Sequence, residues 1–358
     1  MGGGATVRTI LIGDRRVGDG EPCFVVAEAG VNHNGELAVA KRLVQVAVQA
    51  GTDAVKFQKR SVADILIKSA LEAPYAGPNS LGATYGEHRE RLELPEAAWR
   101  ELDADCRRAG MMLLASPWDP KSADFLEALG VPAFKLASAD LTNLPLVEHV
   151  ARKKRPVLLS TGMSEMEEIA DAVDTVRRHH DELVLLHCTS AYPCEYPDLN
   201  LRVIDTLRRR FGCLVGYSGH ERGLATTQAA VALGACVVER HFTLDRTMRG
   251  PDHAASLEPR GLELLVRDIR HVEAALGSAE KRLLPSEVPV RKRLAKSVVA
   301  ARDIPAGRTV TREDLVVKGP GTGISPRHLD RLVGAVAERA ITGDTLIPLE
   351  ALGWRRAP

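Results

Sequence analysis

Eight short apolar runs, each turning polar at its carboxyl end, constrain the fold of this chain most. They are CFVVAEAG (23–30), AVKFQK (54–59), MMLLASP (111–117), AFKLAS (133–138), PVLLST (156–161), LVLLHCTS (183–190), CLVGYS (213–218) and CVVERHF (236–242). A strand buried on both faces reads as continuous hydrophobic sequence, as in parallel sheets. Between the runs, apolar residues recur at three- and four-residue steps, the helical period. Leu37, Ala40, Leu43, Val44 and Ala47 mark one such stretch, closed by Gly51. Another begins with Pro95 in a first-turn position and stops at Gly110. KSADFLEALG, SEMEEIADAVDTVRR and RGLATTQAAVALGA repeat the pattern. Eight strand–helix units over about 250 residues predict an α/β fold, a closed (β/α)8 TIM barrel. The competing doubly wound sheet would carry G-x-G-x-x-G after its first strand. That motif is not there.

Two regions break the rhythm. Residues 61–94, after the second strand, form an insertion rich in Gly, Pro, Tyr and His. A loop of that length is expected to be functional or disordered. The last barrel helix is expected over 261–277, within a barrel domain of 1–283. A Pro- and charge-rich linker then occupies 284–295, and 296–358 read as a small, mostly β module. In that module SVVAARDIPAGRTVTREDLVVK suggests short strands around an Ile-Pro-Ala-Gly turn. About 60 residues is near the lower limit for an independent core, so the module is expected to lean on another surface.

Charge narrows the partners. Lys plus Arg number 48 and Asp plus Glu 47, leaving a net charge of +1. That balance argues against a nucleic-acid surface or a membrane-binding polycation. Aromatics at 4% argue against base-stacking platforms. The six cysteines form no C-x-x-C pair and sit in apolar runs, so buried reduced thiols are expected. The amino-terminal stretch lacks the apolar core of a signal peptide, and no run of 18 apolar residues suggests a membrane span. A cytoplasmic protein is the expectation.

In a barrel, polar residues at strand carboxyl ends line the active site. Collecting them gives Glu28, Lys56, Gln58, Ser116, Lys135, Ser138, Ser160, Thr161, His187, Thr189, Ser190, Tyr192, Ser218, His220, Glu239 and His241. Charges buried in such a mouth need partners or a ligand. Lys56 and Lys135, with Ser138, Ser160 and Thr161, suit a phosphate or carboxylate. The plainer alternative is Lys–Glu pairing in a stability network. His220 and His241 end the seventh and eighth strands, which are neighbours in a closed barrel. Both could reach one exchangeable divalent metal, with Glu239 nearby, and Mn²⁺ suits such an open site better than structural zinc does. His187 falls too early in its strand to join them. Glu28 could orient a hydroxyl or transfer a proton, or cap the following loop. Asn32, His33 and Asn34 read as a turn closed by Gly35. Asp252, in the GPDH run, could bind substrate hydroxyls or serve as a turn residue.

The stretches AEAGVNHNG, AVKFQK, FKLASADLTN, LSTGM, HCTSAYP, GYSGHERG and ERHFTLDRTMRGPDHAASLEP resemble the sialic acid synthase family. The tail, with SVVAARDIPAGRTVTREDL and GPGTGISP, is similar to that family's antifreeze-like (SAF) domain. TYGEH and GYSGHE resemble the branch containing animal-type enzymes. The resemblance implies condensation of phosphoenolpyruvate with an N-acetylmannosamine-type aldose, free or 6-phosphorylated. The implied product is N-acetylneuraminate or its 9-phosphate, with phosphate leaving by C–O cleavage. It implies His220 and His241 as ligands of Mn²⁺, or of Mg²⁺ or Co²⁺. It implies Lys56, Lys135, Ser138, Ser160, Ser190 and Tyr192 as the phosphoenolpyruvate grip, and Glu28, Gln58 and Asp252 as sugar-facing groups. Ser116, Ser218 and Glu239 complete the expected substrate-binding set. It also implies a homodimer whose swapped SAF domain covers the partner's barrel. Gly319 stands where the family has a sugar-contacting arginine, and Ser190 where the bacterial branch has an asparagine. Three other readings stay open: a synthase for a legionaminic- or pseudaminic-type acid, a non-catalytic carbohydrate-binding relative, and a metal-free Schiff-base aldolase acting through Lys135.

Overall fold

The computed structural model describes residues 8–354. The chain divides into two compact units, Met1–Gly277 and Ser278–Pro358. The first is built on a closed parallel barrel of eight strands: β3 (Phe24–Gly30), β4 (Ala54–Lys59), β5 (Met112–Pro117), β6 (Phe134–Leu136), β7 (Val157–Ser160), β8 (Leu183–Cys188), β9 (Leu214–Gly219) and β10 (Val237–His241). Neighbours follow sequence order, and β10 closes on β3 with Val237 opposite Phe24 and His241 opposite Glu28. Each strand coincides with one of the eight apolar runs.

Helices cover the outside because their apolar stripes match the outward residues of the strands. The helix Leu37–Ala50 buries Ala40, Leu43, Val44, Ala47 and Ala50. It stops at Gly51, whose φ of 74° is left-handed and turns its amide back to Ala47 and Val48. Val25, Ala27 and Ala29 of β3 join that outer core, whereas Phe24 and Val26 face the barrel interior.

An amino-terminal hairpin, β1 (Thr9–Ile12) with β2 (Arg15–Gly18), precedes the barrel. No strand pattern in the sequence marks it. Ile12 and Val17 are fully buried against Phe24, Val26, Leu114, Leu158, Val184 and Val237, which form the barrel's inner floor. The hairpin closes the end of the barrel opposite the polar strand termini.

The insertion after β4 is ordered rather than a bare loop. It carries short helices at Val62–Ile65, Lys68–Leu71 and Tyr85–Arg91. Asp119 accepts from the Ser61 amide at 2.7 Å, and Arg60 pairs with Glu93 at 2.9 Å, so both ends are pinned to the barrel.

The second unit has its own core. β11 (Ser297–Ala300) pairs antiparallel with β12 (Leu315–Lys318). Val298, Ile304, Val310, Leu315, Ile324, Leu332 and Ile341 pack together beneath them. Asp314 is fully buried and accepts from the Thr311 amide at 2.9 Å and Arg302 at 2.6 Å. Residues 284–295 fall within this unit and carry a helix, Val288–Leu294, where the sequence suggested a linker.

Candidate active site

Side chains along a strand alternate faces, so every second residue points into the barrel. The lower inward positions are apolar and the upper ones polar. Val26 is followed inward by Glu28, Ala54 by Lys56 and Gln58, Leu114 by Ser116, Leu158 by Ser160, and Val237 by Glu239 and His241. The upper, polar residues of these rows, with Lys135, Ser138, Ser190, Tyr192, Ser218, His220 and Asp252, line one cavity of about 280 Å³. Fourteen of the seventeen candidate residues are brought together there.

The floor of the cavity is a charge cluster. Lys56 Nζ lies 2.7 Å from Glu28 and 3.6 Å from Glu239, and donates to Ser116 Oγ at 3.0 Å. Lys135 Nζ lies 3.9 Å from Glu239 and donates to the Leu136 carbonyl. Gln58 donates to Glu28 at 3.1 Å, and Ser218 to Glu239 at 3.1 Å. Burial works against the Lys56 ammonium, but Glu239 and Glu28 outweigh it and its pKa is raised. For Lys135 burial wins over Glu239, and its pKa is lowered. Glu239 is buried, yet Lys135 and Lys56 hold it below the usual carboxylate range. Buried charges stay ionised only when partnered in this way.

A second group rings the upper wall. Ser138 lies in a tight turn after β6, and its Oγ accepts from the Gly162 amide at 3.0 Å. Ser160 Oγ and Glu239 Oε2 are buried without a hydrogen-bond partner. Such unmet groups, aimed into a cavity, are sites that a polar ligand satisfies.

His220 and His241 meet where β9 and β10 run side by side, with ring centroids 5.4 Å apart. The Tyr192 ring lies 4.2 Å from His220. His220 Nδ1 faces the Thr189 carbonyl at 3.0 Å, which assigns its proton there and leaves Nε2 with a lone pair. His241 Nδ1 is buried without a hydrogen-bond partner, 4.0 Å from Asp252. Burial keeps His241 below its ordinary pKa, hence neutral. The pair fits a metal held by two imidazoles whose other positions go to substrate or water. Among the described residues no group of three His, Cys, Asp or Glu forms a closed cage.

Both histidines are braced from outside. Arg240, one residue before His241, donates to Glu221 at 2.9 Å, and Glu221 directly follows His220. Glu221 also accepts from Tyr217 at 2.8 Å, Thr226 at 2.7 Å and Thr227 at 3.1 Å. Both members of the pair are almost wholly buried.

Three strand-end residues are not in the cavity. Thr161, expected in the phosphate grip, bonds the Leu186 carbonyl at 3.1 Å instead. It follows the inward Ser160, so the pleat turns it outward. His187 faces the Leu199 carbonyl at 2.6 Å, as its early position suggested, and Thr189 bonds Asp198. Conversely, Cys188 and Arg89 line the cavity without having been singled out. Cys188 lies 3.8 Å from His220 Nδ1 and 3.6 Å from Ser138 Oγ. Its inward parity, two residues after Leu186, was the available signal. Nothing local in the insertion marks Arg89.

A closed parallel barrel with a charged cavity at its strand carboxyl ends has the layout of a barrel enzyme. The NeuB family model matches residues 43–281, and the SAF domain model matches 295–352. The chain belongs to the NeuB family and carries a SAF domain. Human N-acetylneuraminate-9-phosphate synthase is 45% identical over 322 residues, 89% of this chain and 90% of that protein. N,N'-diacetyllegionaminic acid synthase of Legionella pneumophila is 40% identical over 336 residues, 92% of this chain and 94% of that protein. The crystal structure of the N-acetylneuraminic acid synthetase from Leptospira borgpetersenii, in complex with citrate, superposes with a TM-score of 0.71. That match has 30% identity and covers 79% of this chain and 95% of that one.

Proposed function

We propose that the chain condenses phosphoenolpyruvate with an N-acetylmannosamine-type aldose to give a nine-carbon 2-keto acid and inorganic phosphate. The observation that carries this reading is one cavity that holds two sets of side chains. One set is Lys56, Lys135, Ser138 and Ser160, and the other is His220, His241, Glu28 and Asp252. The first suits the phosphate and carboxylate of phosphoenolpyruvate, because ammonium groups and hydroxyls supply charge-assisted hydrogen bonds. The second suits the hydroxyl and carbonyl groups of a sugar acceptor.

The residues divide the work. Lys56 and Lys135 hold the anion, and Glu239 keeps Lys56 charged by lying 3.6 Å away. Gln58 and Asp252 bind acceptor hydroxyls. Glu28, fixed by Lys56 and Gln58, exchanges a proton with the acceptor oxygen. His220 and His241 would hold a divalent cation, Mn²⁺ first and Mg²⁺ or Co²⁺ as alternatives. When bound, that cation supplies Lewis-acid polarisation of the acceptor carbonyl. The enol carbon C3 forms the new bond to the aldehyde, whose oxygen takes a proton. Water adds at C2 and phosphate leaves with the bridging oxygen. Holding enol and aldehyde in line removes up to about 7–11 kcal/mol of the barrier.

The test is phosphate release from phosphoenolpyruvate, with mass spectrometry of the keto acid. Release is expected only when aldose and divalent cation are both present. His220→Ala is expected to lower cation affinity and turnover together while circular dichroism stays unchanged. Release that ignores the aldose overturns the reading. Borohydride trapping of a Lys135 adduct with pyruvate in EDTA would establish the Schiff-base mechanism instead.

A further inference from the structure

We propose that Arg89 is a specificity residue that binds a phosphate ester carried by the acceptor sugar, away from its reacting aldehyde. The inference rests on the condensation reading for the identity of the acceptor and on the geometry of Arg89 for the site. The cavity is lined by three basic side chains, Lys56, Lys135 and Arg89. Lys56 and Lys135 have Glu28 and Glu239 within 4.0 Å. Arg89 has no carboxylate within that distance among the described residues. Its guanidinium instead rests 4.9 Å from the centre of the Tyr85 ring, and its Nε donates to Tyr85 Oη at 2.8 Å.

That arrangement leaves donors to spare. A guanidinium carries five N–H groups in a fixed fork, and Tyr85 Oη engages only those on Nε and Nη2. Arg89 is half-buried, so bulk water does not fully take the place of an anion. The helix bearing it is held by a packed cluster, with the Tyr75 ring 5.3 Å from Tyr85 and 4.7 Å from His88. An arginine with donors to spare in a cavity wall is suited to bidentate recognition of phosphate.

Topology sets this cation apart from most of the other phosphate site. The insertion follows β4, which also carries Lys56, whereas Lys135 and Ser160 stand on β6 and β7, two and three strands further round the barrel. Neighbouring Arg60 bonds to Gln58 and stacks 4.7 Å over Trp118, another cavity residue. Arg89 therefore belongs to the Gln58 side, where the acceptor is placed. The two anion sites would receive the two reactants separately.

Isothermal titration of the full-length protein with N-acetylmannosamine 6-phosphate and with N-acetylmannosamine tests this without turnover. The wild type is expected to bind the phosphorylated sugar roughly 10- to 100-fold more tightly. Arg89→Met is expected to abolish that preference, and Arg89→Lys to retain part of it at the same melting temperature. A preference that survives in Arg89→Met, or is absent from the wild type, overturns the proposal. So does an Arg89→Met effect that falls equally on phosphoenolpyruvate. Preferential binding without any keto-acid product would sink the condensation reading while leaving Arg89 as a sugar-phosphate site.

Discussion

Glu221→Gln isolates the support behind the two histidines. The substitution keeps the shape of the side chain and removes the charge that faces Arg240 at 2.9 Å. Glu221 and Arg240 are 0% and 2% exposed, so the guanidinium left behind has no access to water. Removing one member of a buried, hydrogen-bonded ion pair costs about 3–5 kcal/mol. At about 2–4 °C per kcal/mol for a unit of this size, the melting temperature should fall by roughly 6–20 °C. The double variant Glu221→Leu/Arg240→Met removes both charges, and should recover most of that loss. Differential scanning calorimetry reads all three proteins. Because Glu221 adjoins His220 and Arg240 adjoins His241, divalent-cation affinity should fall by about 10- to 100-fold in the single variant. A shift below 2 °C, or a double variant no more stable than the single, would refute the view that this pair holds the histidine strands.

Two further perturbations probe other parts of the barrel. A Cβ at Gly162 would lie 2.8 Å from Ser138 Oγ and 3.2 Å from Cys188 Sγ, and would also crowd Ser190 Oγ. Gly162→Ala should thus raise the KM for phosphoenolpyruvate about tenfold with a smaller effect on the sugar; an unchanged KM in steady-state assays would remove those serines from the anion grip. Burial, aided by the charge of Arg60, pushes His33 down to about 3. The unfolded chain therefore takes up a proton between pH 6.5 and 3 that the folded one does not, and stability should drop as pH falls through that window, by at most about 1.4 kcal/mol per pH unit. His33→Asn keeps an acceptor for the Gly35 amide and should flatten the slope. Parallel denaturant midpoints of the two proteins from pH 6.5 to 4.5 would contradict this.

The barrel was legible because burial on both faces forces each strand to be apolar until it reaches the mouth, where polar groups begin. Lys56, Glu239 and His241 could be placed from that boundary alone. The hairpin was not, because Thr9–Ile12 and Arg15–Gly18 are too short, and the second too polar, to carry a strand pattern. Ser160 and Thr161 show the resolution of such reading: adjacent hydroxyls at one strand end, of which the pleat admits only the first. Cys188 was passed over because buried thiols are usually inert packing. Arg89 depends on how residues 61–94 fold back over the barrel, a long-range result that no local period encodes.

The apolar plug formed by Ile12 and Val17 makes the barrel a blind well. Every proton or water molecule that reaches Lys56, Glu28 or Glu239 must pass by the same rim as the reactants. A bound substrate is thus also a stopper, sealing the ammonium and carboxylate groups from isotope exchange all together.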